Sequence, residues 1–214
     1  MQRLPPNWQD SQSLENIFRA LPRRYIKVLS KPSVAAFSAE ASQAEWHLVG
    51  IHILGWMTML VIFGLLTVFI RALVLGLTGS LDFISGLGFT FGLTLVLALF
   101  IPTFLLVDAI LTYLMARAFG GRGTLSAQAY TSLLFQIPLS TIGCLLAFIP
   151  SVGILLGTLF GFGAFIYSMM LQVFATMAVH RLDARTATAT VFIAAVVVLL
   201  LAWFFGAFFL STLL

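Results

Sequence analysis

The stretch PTFLLVDAILTYLMARAFGGRGTLSAQAYTSLLFQIP, residues 102–138, sets a carboxylate, Asp108, and an amide, Gln136, inside two apolar runs joined by a short basic turn. Apolar runs of this length on either side of a glycine-rich turn read as two antiparallel helices in a bilayer. The rest of the chain agrees: 61% of its residues are hydrophobic and 8% are charged, against roughly 25% charged in a soluble domain. From Gly123 to His180 there is no Asp, Glu, Lys or Arg. As a helix that run would extend ~87 Å at ~1.5 Å per residue, several times a ~30 Å hydrocarbon core, so it must cross at least twice. The break falls at Ile149-Pro150-Ser151-Val152-Gly153, where Pro cannot continue a helix ladder and Ser can cap the next one.

Outward from this pair, the sequence predicts an all-α integral membrane protein with five transmembrane helices and an N-terminal amphipathic interfacial helix. The spans fall at about 47–70, 87–119, 125–148, 151–180 and 186–212, preceded by a polar arm over 1–46. Met1 to Gln12 reads as a loose tail and Ala72 to Gly86 as a mildly apolar linker. In the arm, Leu14, Ile17, Phe18, Leu21, Tyr25 and Leu29 recur at helical spacing among Arg19, Arg23, Arg24, Lys27 and Lys31, with Pro22 expected to kink or split the element. Such a helix either lies in the membrane interface with its cations at anionic headgroups or packs on the spans or on a second copy. Ser33 is placed to cap a short helix after it. Residues 1–46 contain no apolar segment with a cleavage site, so insertion is expected to begin with the first span.

Five spans put the termini on opposite sides. With the N-terminus in the cytoplasm, that side holds Arg3, Arg19, Arg23, Arg24, Lys27, Lys31, Arg117, Arg122, Arg181 and Arg185, leaving only Arg71 outside. This asymmetry predicts a cytoplasmic N-terminus and an external C-terminus. Arg19, Arg23, Arg24, Lys27, Arg117, Arg122, Arg181 and Arg185 are the candidate lipid-headgroup contacts.

Asp108 is the one acidic residue well inside a predicted span, where an unpaired carboxylate costs several kcal/mol. Counted inward from the basic ends, Asp108, Gln136 and Gln172 come to similar depths of ~13–18 Å at ~1.5 Å per residue. The three form a candidate intramembrane polar layer, with Thr112, Tyr113, Thr131 and Ser132 near enough to extend it. Two readings stay open: a hydrogen-bond set that fixes packing, or a polar cavity for a proton, an ion or a lipid headgroup. Gly153, Gly157 and Gly161, four apart, form a small-residue face for packing inside the bundle or for a dimer seam.

Other chemistry is not indicated. Gly120-Gly121-Arg122-Gly123 lacks the Gly-Lys-Ser/Thr ending of a phosphate loop and follows a helix, so it reads as a tight turn. Cys144 stands alone, and His47 and His52 belong to no Cys/His cluster with metal spacing. The sequence has no His-Glu-x-x-His, no Gly-x-Ser-x-Gly and no second intramembrane carboxylate beside Asp108, so no enzyme, cofactor or nucleic-acid partner is expected. The expected partners are the bilayer, anionic headgroups, and a second copy or another membrane protein.

The segments YIKVLSKPSVAAFSAEASQAEWHLV, ARAFGGRGTLSAQAYTSLLFQIPLS, FIPSVGILLG and GAFIYSMMLQVFATMAVHRLDARTATA, in this order and spacing, resemble the Yip1 domain family of five-span membrane proteins from about Tyr25 to Phe209. The resemblance implies five helices and a cytoplasmic N-terminus. It implies no catalytic residues. Eukaryotic members bind Rab GTPases in secretory membranes, but their Asp-Leu-Tyr-Gly-Pro signature is absent here: Asp108 is followed by Ala109-Ile110-Leu111. This argues against a Rab-type GTPase partner, and the short arm resembles prokaryotic members, which implies a cytoplasmic membrane location. The function this suggests is a scaffold, membrane-shaping or trafficking-type adaptor. The alternative is a small transporter, channel or lipid-translocating protein built on the Asp108 layer.

Overall fold

The computed structural model describes residues 6–78, 83–147 and 153–213, and every regular element among them is helical. Seven helices follow in order: α1 Pro6–Ser30, α2 Val34–Ala41, α3 Trp46–Thr78, α4 Phe83–Ala118, α5 Leu125–Ala147, α6 Gly153–His180 and α7 Ala184–Leu213. Each of α3 to α7 contains an apolar run of 21 to 26 residues, enough at ~1.5 Å per residue to cross a ~30 Å core. The chain is therefore all-α, with five helices fit to span a membrane. The first residues of the tail, the linker positions Gly79, Ser80 and Asp82, and the break at Ile149 to Val152 lie outside the described residues.

Three local expectations change. The linker expected from Ala72 is helical as far as Thr78, because Leu73, Val74, Leu75 and Leu77 prolong the apolar run and a single helical glycine costs only about 1 kcal/mol. The tail is helical from Pro6, a residue whose fixed φ suits a first turn. Pro22 lies within α1 and does not divide it. Ser33 does cap α2, its hydroxyl accepting from the Ala36 amide at 3.1 Å.

The helices pack around α5, which touches α1, α2, α3, α4 and α6. Every residue from Ala127 to Phe135 is buried. Facing protein on all sides, this helix can hold Gln128, Tyr130, Thr131 and Ser132, provided each finds a hydrogen-bond partner. Apart from Trp46 at the start of α3, the exposed large apolar side chains on α3, α6 and α7 run from Leu54 to Leu73, Leu155 to Met170 and Phe192 to Phe204. That belt starts about 12–15 Å from the end of the bundle carrying Arg117, Arg122, Arg181 and Arg185, taking ~1.5 Å per residue. On α4, Leu114 and Phe119 are exposed closer to that end. The basic end thus projects beyond most of the apolar belt.

The turn from α6 into α7 is closed by Asp183, whose Oδ2 accepts from the Arg185 amide at 3.1 Å and the Thr186 amide at 3.3 Å. Hydrogen bonds from Thr186, side chain and backbone, and then from the Arg185 amide hold its carboxyl below the usual range. A lowered folded-state pKa adds stability that is present above the unfolded value of about 3.9 and is lost as pH falls through the folded one. Asp183→Asn keeps a capping oxygen but removes the charge. Its unfolding temperature is expected to show a weaker fall below about pH 4 than the parent's, the two curves converging in acid; parallel curves would show that the cap is not titrating.

Candidate functional site

Three helices bring the polar layer together. Side chains four apart share a helix face, and α5 carries Gln128, Ser132, Gln136 and Ser140 in this register, α6 carries Ser168, Gln172, Thr176 and His180, and α4 carries Asp108 and Thr112. Gln136 donates from Nε2 to Asp108 Oδ2 at 2.8 Å. One turn nearer the basic end, Ser132 Oγ donates to Gln172 Oε1 at 3.1 Å, Gln172 Nε2 donates to Thr112 Oγ1 at 3.3 Å, and Gln128 Nε2 donates to Ser132 Oγ at 3.3 Å. Asp108, Gln136 and Gln172 all border one cavity of about 320 Å³ between α4, α5, α6 and α7. The three residues singled out in the sequence thus meet at one site, although Gln172 is bonded to the neighbouring set and not to Asp108.

The extensions of the layer sort themselves out. Thr112 and Ser132 belong to it. Thr131 instead donates to the Ala127 carbonyl of its own helix at 2.7 Å, and Tyr113 lies against His180, with ring centroids 5.8 Å apart. Gln128 was not expected in the network, although its spacing from Ser132 and Gln136 was the available signal. Buried polar atoms without a partner among the described residues include Gln136 Oε1, Gln128 Oε1 and Thr176 Oγ1.

The arm forms a second polar cluster on the far side of α5. Glu40 of α2 is 4% exposed. A carboxylate so buried needs cations and donors; Lys27 lies 3.2 Å away, Arg24 3.7 Å away, and the Tyr130 hydroxyl donates to it at 3.5 Å while accepting from Arg24 Nη1 at 2.6 Å. Arg24 and Lys27, expected at lipid headgroups, are therefore engaged within the protein. Arg19, Arg23, Arg117, Arg122, Arg181 and Arg185 are exposed, and Arg117 also donates to the Gly121 carbonyl at 3.3 Å. Apolar contacts lock the arm further: Val28 and Phe37 are fully buried, and Phe37 meets Phe135 edge to face with centroids 6.1 Å apart. Burial raises the Tyr25 phenol above its ordinary value, and its ring stands edge-on to His52.

Levels along the bundle fix how α1 lies. Its Leu21 and Tyr25 border a pocket with Trp56 of α3 and Thr141 of α5, whereas the Leu29 carbonyl accepts from the Tyr167 hydroxyl of α6. Thr141 and Tyr167 are both roughly 20–24 Å from the basic end at ~1.5 Å per residue. The Tyr25 ring meets His52 and Arg24 bonds Tyr130 only about 9 Å from that end, so α1 crosses from α3 over α5 to α6 at levels of about 9–24 Å, around the edge of the apolar belt.

The small-residue face of α6 is not uniformly a packing face. Gly153 is buried and Gly157 half-buried, but Gly161 is exposed on the cavity wall, and a Cβ there would meet nothing within 4 Å. Close approach occurs instead at Gly64, whose added Cβ would collide with Thr94, and at Gly121 and Gly123 against His180 and Val179. Among the described residues no group of three His, Cys, Asp or Glu is arranged to hold a metal ion.

Five membrane-length helices around a bonded polar layer, with an arm docked across them, define a polytopic helical membrane protein in contact with the bilayer. The Yip1 domain family model matches residues 26–206, most of the chain, and the chain belongs to the Yip1 domain family. No curated protein and no solved structure matches it.

Proposed function

We propose that this chain is a non-catalytic scaffold that shapes the membrane it spans, seated in a prokaryotic cytoplasmic membrane with its arm and basic turns in the cytoplasm and its C-terminus outside. The observation that carries this reading is the crossing of α1 over α3, α5 and α6 near one edge of the apolar belt. An arm held there adds cross-section in one leaflet only. At ~10 Å per helix diameter and ~1.5 Å per residue, some 20 docked residues add about 300 Å² beside five helices that fill roughly 400 Å². Such a wedge favours membrane that curves toward the arm. The exposed arginines at the same end supply attraction to anionic headgroups, and contacts with a second copy or another membrane protein would gather wedges together.

The test is to reconstitute the full chain in giant vesicles containing anionic lipid and pull tubes of about 20 nm radius with the arm on the outer face. Severalfold enrichment on the tube is expected, reduced in Glu40→Lys, where a third positive charge beside Arg24 and Lys27 releases the arm. Equal density on tube and vesicle would sink the reading. The cavity beside Asp108 supports a second reading, a small transporter or lipid-translocating protein, which predicts transbilayer movement sensitive to Asp108→Asn.

A further inference from the structure

Apart from its shape, the molecule contains a graded cavity. Along α4, α5 and α6 the polar pole lies toward the basic end and apolar residues follow it: Asp108 then Phe104, Gln136 then Leu139 with Ser140 beside it, Gln172 then Phe165 and Phe160, while α7 contributes Val191, Ala195 and Val198. From Gln172 to Phe160 is about 18 Å at ~1.5 Å per residue. The polar pole lies near the edge of the apolar belt, and the apolar pole points into it. That is how an amphiphile stands in a leaflet.

The pole is also rich in acceptors. Asp108 brings a carboxylate, Gln136 has committed an N–H to Asp108 and leaves Oε1 buried without a partner, and the Ser168 hydroxyl proton goes to the Phe165 carbonyl. Gln172 uses both ends of its amide on Ser132 and Thr112. Among the described residues no Lys, Arg or His lines the cavity. What fits is a ligand that brings positive charge and N–H donors at one end and hydrocarbon at the other. The volume of about 320 Å³ corresponds to roughly ten non-hydrogen atoms at ~30 Å³ each, the share of a water molecule in the liquid.

We propose that this cavity binds a single-chain amphiphile with a primary ammonium head, the head at the Asp108 carboxylate beside Gln136 and the chain running past Phe104, Ala164 and Phe160. A quaternary head has no N–H to give, and a neutral alcohol has no charge to set against the carboxylate. Both are poorer ligands for the same reason that a buried, hydrogen-bonded charge pair loses much when one partner is truncated.

The experiment is native mass spectrometry of the full chain released from non-ionic micelles after titration with decylamine, decyltrimethylammonium or decanol. One retained decylamine per chain is expected, with the other two bound at least roughly thirtyfold more weakly. Asp108→Asn should lose a similar factor. Gly161→Leu, at a position where a Cβ meets open space, should fold and abolish retention by occupying the cavity, which keeps the proposal testable if Asp108→Asn fails to fold. Retention of decanol or decyltrimethylammonium equal to that of decylamine, or undiminished retention in Gly161→Leu, would overturn it.

Discussion

Replacing Gln136 by Leu is expected to destabilise the protein by about 2–3 kcal/mol, and replacing Asp108 by Leu in the same chain to recover most of that loss. The 2.8 Å bond from Gln136 Nε2 to Asp108 Oδ2 joins a neutral amide to a carboxylate in an apolar bundle. Bonds to charged groups are worth about 1.5–3 kcal/mol, and a buried charge deprived of its partner retains the cost of its desolvation. Removing both polar groups removes the requirement along with the bond, so the doubly apolar variant should approach the parent. Unfolding of purified variants titrated with a denaturing detergent gives the cycle. A coupling near zero would mean that Asp108 is satisfied by something other than Gln136, and the layer would then have to be redrawn around Asp108 alone.

Membrane-length helices and the meeting of Asp108, Gln136 and Gln172 were legible in the sequence for a simple reason. Hydropathy sets which runs can cross, and a fixed rise per residue turns distance from a turn into depth. The same count could not say which amide Asp108 would bond, because that depends on helix rotation and crossing, and Gln172 turned out to face Ser132 and Thr112. The arm was ambiguous for a different reason. A helix with Leu21, Tyr25 and Leu29 on one face and arginines on the other suits a lipid interface and a protein surface equally well, since both offer an apolar side and a wet side. What decides is Glu40, in another helix, with Tyr130 about 90 residues further on, a long-range pairing with no local signature. The glycines were ambiguous likewise: spacing puts Gly161 on a face but does not say whether that face meets a helix, a second copy or a cavity.

Gly123→Ala is expected to cost about 3 kcal/mol, the upper end of the range for forcing extra atoms into a packed site, and Gly121→Ala a similar amount. The turn between α4 and α5 folds back onto the C-terminus of α6: the Arg122 amide donates to the His180 carbonyl at 3.2 Å and the Gly123 amide donates to His180 Nδ1 at 3.2 Å. These bonds satisfy groups that a helix end leaves open. They also bring the backbones so close that a Cβ on Gly123 would sit 2.5 Å from Val179 Cγ1 and 2.7 Å from the Val179 carbonyl oxygen, and one on Gly121 2.7 Å from the Ala116 oxygen. A carbonyl fixed in a helix cannot swing aside as a side-chain tip can, so the turn itself must shift and its bonds to His180 lengthen. Gly120 separates backbone conformation from crowding: its φ is +85° with nothing within 4 Å of an added Cβ, so Gly120→Ala should cost only about 1 kcal/mol. Gly161→Ala, in a helix and facing open space, should be neutral or stabilising by up to about 1 kcal/mol. Thermal unfolding of the four variants in one detergent gives the order directly. If Gly123→Ala proves as stable as Gly161→Ala, the turn is not clamped to α6, and the closed basic end described above is wrong.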